Sequence, residues 1–190
     1  MLTVRKATEA DIDAIAEIYA EIHTCEESGR AVIGWVRDVY PIRATAEAAL
    51  GRDDLFVAEE DSQIVGAAII NQTQVEEYKN GGWQYDAPDE EVMVLHTLVI
   101  SPRFSGKGYG KAFVAFYEEY ALRENCRFLR IDTNEKNARA RAMYRKLNYR
   151  EAGIVPCDFN GIKGIGLVLL EKKLDHGIYP DAMTEREDRI

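Results

Sequence analysis

Apolar positions along this chain recur with two different periods, and the switches between them outline a mixed α/β domain. Residues 2–7 read as an opening strand. Thr8, Glu9, Ala10 and Asp11 then make a capping-box-like start to a helix whose Ile12, Ile15, Tyr19 and Ile22 share one face. The pattern breaks between His23 and Pro41, where Gly29 and Gly34 fall, so a linking segment is expected. Thr45 is placed to cap a short helix over residues 46–50, closed by Gly51. Strands follow at 55–59 and 64–71 around a tight turn near Asp61 and Ser62. The polar stretch 72–90, with Gly81, Gly82 and Pro88, should hold no regular element.

A β-branched, apolar run at 92–100 predicts a buried central strand. Ala112, Phe113, Phe116, Tyr117 and Tyr120 predict a helix with one apolar face. A further strand is expected at 127–133. A helix at 137–147 would share Ala140, Met143, Tyr144 and Leu147 on one face, and an antiparallel pair at 152–157 and 164–174 would close around Asn160-Gly161. These elements make one domain over 1–174, and the polar, weakly patterned residues 175–190 read as a tail.

Between the central strand and its helix lies Ser101-Pro102-Arg103-Phe104-Ser105-Gly106-Lys107-Gly108-Tyr109-Gly110-Lys111. Three glycines at i, i+2 and i+4 open a helix whose first N–H groups have no intrahelical partner and whose dipole is positive. Without Cβ atoms there, a phosphate can approach those groups, and Lys107 and Lys111 add charge beside them. Spacing separates the kinds of cradle. A P-loop needs G-x-x-x-x-G-K-[ST], but Ala112 follows Lys111 and Ser105 stands five before Gly110. A dinucleotide fingerprint needs G-x-G-x-x-G directly after the strand, which this loop lacks, although Asp132 lies about where a ribose carboxylate would be sought.

The set Leu95, Leu98, Ile100, Pro102, Gly106, Gly108 and Gly110 resembles the acyl-CoA-binding motif of the GNAT superfamily of N-acetyltransferases. A second block, from Asn137 through Ala140 and Tyr144 to Asn148 and Tyr149, is similar to that superfamily's N-x-x-A-x-x-x-Y-x-x-x-G-[FY] helix. Two departures stand out: Ser105 replaces the usual Gln or Arg, and Asn148 replaces the usual Gly. The resemblance implies an α+β GNAT fold, a mixed and mostly antiparallel sheet splayed at its central strand and flanked by about four helices. It implies acetyl-CoA as co-substrate, no metal, and direct transfer of the acetyl group to a small-molecule or peptide amine. A noncatalytic acetyl-CoA-binding or sensor domain on the same fold is the alternative.

Under that resemblance the phosphates would lie on Ser105, Gly106, Lys107, Gly108, Tyr109, Gly110 and Lys111. The pantetheine arm would pair with Leu98, Val99 and Ile100, the Leu98 N–H serving as oxyanion donor, and Asn137 would hydrogen-bond the arm or simply cap its helix. Tyr144 matches the acid that protonates the leaving thiolate; it is otherwise a core tyrosine. The family's usual glutamate base would fall on Val94 and is absent. His96, on the same strand face, is the candidate base or a satisfied, partly buried histidine, with Glu90 and Glu91 next. The acceptor would enter among Glu26, Glu27, Trp35, Asp38, Tyr78, Trp83 and Tyr85, a mixture suited to a cationic amine.

Bulk properties narrow the setting. The 190 residues carry 24 bases against 33 acids, a net charge of −9, which disfavours nucleic-acid binding and suits cationic substrates. No apolar span or signal-like segment stands out, so the expectation is a cytoplasmic protein without membrane attachment, and a homodimer is left open. Cys25, Cys126 and Cys157 lack metal-ligand spacing and read as packing residues.

Overall fold

The computed structural model describes residues 1–175, so all of the expected tail but Asp175 lies outside the described residues. The first strand, β1 (Thr3–Lys6), leads into α1 (Ile12–Glu27) through a 3-10 turn in which Thr8 and Asp11 cap each other. The Asp11 carboxylate also pairs with Arg5 at 2.8 Å, which holds it down to about pKa 2. As the periodicity requires, Ile12, Ile15, Ile18, Tyr19 and Ile22 of α1 are buried.

The second helix, α2 (Arg43–Gly51), starts earlier than expected. Thr45 is its third residue, not its cap, and its hydroxyl reaches back to accept from the Ile42 N–H at 3.1 Å. Next come β2 (Leu55–Glu60) and β3 (Gln63–Asn71), joined by Asp61 and Ser62, both at positive φ as a two-residue hairpin demands. Residues 72–91 hold only two 3-10 turns.

The central strand β4 (Val92–Ile100) and helix α3 (Tyr109–Arg123) follow. On α3, Phe113 and Tyr117 are buried and Phe116 and Tyr120 partly so, whereas Ala112 faces solvent and Val114 takes its place inside. The Tyr117 hydroxyl donates to the carbonyls of Met93 and Arg130, tying α3 to two strands.

The remainder is β5 (Phe128–Asn134), α4 (Ala138–Lys146), β6 (Arg150–Phe159) and β7 (Ile162–Lys173). Asn148 takes the left-handed φ of 65° that closes α4, so Asn serves there in place of Gly. Both closing strands extend beyond expectation. Gly153 and Pro156 disguised the length of β6, which tolerates them because it is an edge strand with two register shifts.

The seven strands form one sheet in the order β1-β2-β3-β4-β5-β7-β6, antiparallel except for β4 beside β5. One face packs under α3 and α4. The other carries α1 and α2 over β2 and β3, and Tyr78 and Trp83 of the 72–91 segment over β5, β6 and β7. This is the α+β architecture expected, a mostly antiparallel sheet with four helices. Among the described residues no helix is long and apolar enough to cross a membrane.

Candidate active site

Two features of β4 open the sheet. Its parallel pairing with β5 runs from Val92 beside Phe128 to Leu95 beside Ile131 and ends there. Its pairing with β3 shifts register, so that Thr97 and Leu98 together face Ala68 between the pairs Ile69–His96 and Ala67–Val99. This bulge puts Val99 over α1 with Ile69, while Leu98 and Ile100 turn toward α3. At the bulge Thr97 has φ 51°, a conformation that costs a β-branched residue about 1–2 kcal/mol.

Beyond the split lies a cavity of about 990 Å³. Tyr144, His96 and every residue expected to hold the co-substrate line it except Lys107, whose ammonium lies 5.1 Å from the Phe104 ring. The loop forms one end. Gly106 and Gly108 both have φ 85°, and Gly108 is the N-cap of α3, so the loop turns upward only because these positions lack side chains. A Cβ at either would meet no protein atom within 4 Å. Ser105, in place of a Gln or Arg, accepts a hydrogen bond from Arg139 of α4 at 2.8 Å, which brings a guanidinium to the loop from another helix. Lys111, Lys136 and Lys146 also line the cavity. A chain of net charge −9 has thus gathered cations around this opening.

The α4 wall supplies Asn137 and Tyr144. Asn137 is the helix cap, accepting from the Ala140 N–H at 3.1 Å, and it lines the cavity as well. Tyr144 packs edge-on against Tyr149 at 5.8 Å, and no hydrogen bond holds its hydroxyl among the described residues. Burial first, and then the Asp132 charge, push its pKa up, so the phenol keeps its proton at neutral pH. Tyr149, expected as packing, is buried against Tyr144.

The opposite end draws groups from four segments. His96 Nδ1 lies 3.6 Å from the Asp132 carboxylate of β5, and Nε2 lies 3.2 Å from the Thr73 carbonyl. The same carboxylate accepts from the buried Tyr78 hydroxyl at 2.9 Å. Asp132 is the single acidic residue lining the cavity, and no Lys or Arg pairs with it among the described residues. Tyr40 bonds the Thr97 hydroxyl, and burial pushes its pKa up to about 12. Trp35 meets the Tyr40 ring edge-on at 6.1 Å.

Several acceptor-side expectations are corrected by these contacts. Trp83 does not line the cavity; its indole donates to the Tyr78 carbonyl at 2.6 Å and Arg130 stacks on its face. Tyr85 packs on Phe128. Glu26 accepts from the N–H groups of Ile33 and Gly34, and Glu27 pairs with Arg37, so both carboxylates hold the α1–α2 linker. Asp38 is exposed at φ 59° and Tyr78 is interior, so of that group Trp35 alone lines the cavity. Glu90 and Glu91 sit in a 3-10 turn at the other end of β4 and are not beside the bulge. Val94 is fully buried where the family's base would stand. Tyr40, Thr97 and the role of Asp132 were missed. The signals present were a polar His96-Thr97 pair interrupting an apolar strand, and an Asp inside a strand.

The chain belongs to the acetyltransferase (GNAT) family, whose model matches residues 12–149. An uncharacterized N-acetyltransferase of Methanocaldococcus jannaschii is 22% identical over 184 residues, 96% of this chain and 99% of that protein. A second from the same organism is 23% identical over 154 residues, 80% of this chain; the match spans 62% of that relative's length. Among solved structures, a GNAT-family acetyltransferase from Streptococcus agalactiae superposes with a TM-score of 0.73 at 24% identity, covering 92% of this chain and 96% of that one. A Salmonella typhimurium protein solved with its cofactor acetyl-CoA gives 0.66 at 20% identity, covering 96% and 99%. These structural likenesses concern the fold.

Proposed function

We propose that the protein transfers an acetyl group from acetyl-CoA to a cationic amine, directly and without an acyl-enzyme. The observation that carries this reading is a single cavity running from a glycine-built helix N-terminus, past a parted pair of strands, to a lone carboxylate. The residues fit the cofactor. Gly106 and Gly108 leave the first N–H groups of α3 accessible, and Lys111, Lys136, Arg139 and Lys146 match its phosphates in charge. The parted edge of β4 from Leu98 to Ile100 suits an extended amide-bearing arm, and Asn137 can bond it from α4. When bound, acetyl-CoA supplies an activated acetyl thioester and a thiol leaving group.

The Leu98 N–H, presented by the bulge, is assigned to the carbonyl oxygen that gains charge, a contact of the kind worth about 3 kcal/mol to a transition state. Tyr144 holds its proton at neutral pH and donates it to the departing sulfur. Asp132 attracts the ammonium form of the acceptor, and the aromatic walls of Trp35 and Tyr40 favour a cation. His96 faces acceptors at both ring nitrogens, so it passes the amine's proton on only after releasing Thr73 or Asp132. The three thiols are poor nucleophiles here: Cys25 and Cys126 are buried, and burial pushes the Cys126 and Cys157 thiols up. Free thiols also suit a reducing compartment such as the cytoplasm.

Calorimetric titration with acetyl-CoA, CoA, NAD and ATP, followed by thiol release with a panel of amines, tests the reading. Binding restricted to the CoA compounds with amine-dependent thiol release is expected. Binding of acetyl-CoA with no turnover on any amine would favour the sensor alternative.

A further inference from the structure

We infer that Tyr40 is a positioning residue, whose hydroxyl, bonded to Thr97, holds the β4 bulge in the conformation that presents the Leu98 amide to the acyl group. This rests on the acetyl-CoA reading of the cavity, and it adds a part for the α1–α2 linker.

Thr97 is unlike any other described residue. Eight non-glycine positions have positive φ, and seven of them are Asp, Asn or Ser, whose short polar side chains tolerate that region. Thr97 alone is β-branched, and it stands inside a strand between two paired residues, His96 and Val99. A strained residue persists only where its surroundings over-determine it. Among the described residues its hydroxyl has one partner, the phenol of Tyr40, fifty-seven residues away in sequence.

Tyr40 is itself fixed from both sides. Its N–H donates to the Val36 carbonyl at 3.0 Å, closing a small bridge, and the next carbonyl, that of Pro41, accepts from His23 Nε2 at 2.9 Å. His23 is buried in α1, and its Nδ1 has no partner, so the ring is committed to Pro41. Glu26 anchors the start of the same linker at Ile33 and Gly34. Gly34 permits the close approach, because a Cβ there would lie 2.3 Å from Asn134 Nδ2 at the end of β5. The linker is thus a brace from α1 to the bulge, and its terminal contact is Tyr40 to Thr97. The Leu98 amide follows Thr97 directly, so the φ and ψ of Thr97 set its direction.

The test is calorimetry on the full chain with acetyl-CoA and with CoA. These differ only in the acetyl group that the Leu98 amide is assigned to meet. Tyr40→Phe keeps the ring and should cut the preference for acetyl-CoA over CoA by about two- to tenfold, the span of one hydrogen bond. Thr97→Val, which keeps the β-branch and removes the hydroxyl, should do the same. Thr97→Gly removes the strain itself, so the Tyr40→Phe/Thr97→Gly double variant should return to within about twofold of wild type. An unchanged preference in Tyr40→Phe, or a deficit that Thr97→Gly leaves in place, overturns the proposal. A crystal structure of Tyr40→Phe gives a readout independent of ligand. Thr97 should relax to negative φ with loss of the Ala67–Val99 register, and retention of φ near 51° would overturn the lock. Failure of wild type to bind acetyl-CoA would instead strike the functional reading.

Discussion

The two ends of the cavity are built on opposite plans. The loop end is one run of eleven residues, Ser101 to Lys111, whose proposed work falls to backbone N–H groups and nearby exposed cations. The acceptor end is assembled from Trp35 and Tyr40 of a linker, Thr73 and Tyr78 of an irregular segment, His96 and Thr97 of β4, and Asp132 of β5. There the side chains do the work, each oriented by another. A backbone site depends on where glycine stands and tolerates change around it. A side-chain network fails when any one member is altered, because a partner is left unpaired.

Perturbing the middle, which both ends share, should have the largest effect. Tyr144→Phe preserves packing against Tyr149 and removes the proposed acid, so kcat should fall by ~10²–10⁴-fold while CoA affinity stays within about twofold. A variant with normal turnover when chemistry limits the rate would return Tyr144 to the core.

At the acceptor end, Asp132→Asn is nearly isosteric and removes the one acid that lines the cavity among the described residues. It should lower kcat/KM for a cationic amine by about 10–100-fold, the span of a charge-assisted hydrogen bond, and leave CoA affinity alone. Steady-state kinetics with calorimetry would separate the two, and an equal loss in both would erase the distinction between the ends.

At the loop end, Gly108→Val must adopt φ 85° with a branched side chain facing the phosphate approach, although it meets no protein atom. CoA affinity should drop by roughly tenfold or more in a folded protein. Arg139→Ala, which removes the cation beside Ser105, should cost only a few-fold, and that difference should shrink in high salt.

A control away from both ends is Asp11. Arg5 and the Thr8 cap lower its pKa from 3.8 to about 2 in the folded chain. Its unfolded form binds the proton more readily, so its contribution is full above about pH 4 and is lost as pH falls toward 2. With Arg5 partly exposed, about 1–2 kcal/mol is expected. Urea midpoints should therefore fall over that window in wild type and vary less in Asp11→Asn.

The same contrast explains what the sequence disclosed. Glycine spacing, the Asn137-to-Tyr149 block and the apolar periods are local, so the loop, α4 and the succession of elements along the chain could be read directly. The Asn-Gly and Asp-Ser turns were equally plain. Tyr40 meeting Thr97, or Tyr78 meeting Asp132, depends on pairings across more than fifty positions that no local period records. The bulge was hidden because a β-branched Thr97 suits a strand, and Trp83 and Tyr85 looked available because burial by Arg130 and Phe128 is a tertiary fact. Ser105 looked like a loss, and only the fold brings Arg139 to it.

Direct acetyl transfer across this cavity is tested by a mass-balanced thiol-release assay. Acetyl-CoA is incubated with the full chain, with and without a cationic amine, and free CoA, acetylated amine and intact protein mass are followed together. Direct transfer requires CoA release only with amine, equimolar with acetylated product, and no mass gain on the protein. Acetyl carried on Cys25, Cys126 or Cys157 and passed on to the amine, or thiol release indifferent to amine, would contradict it.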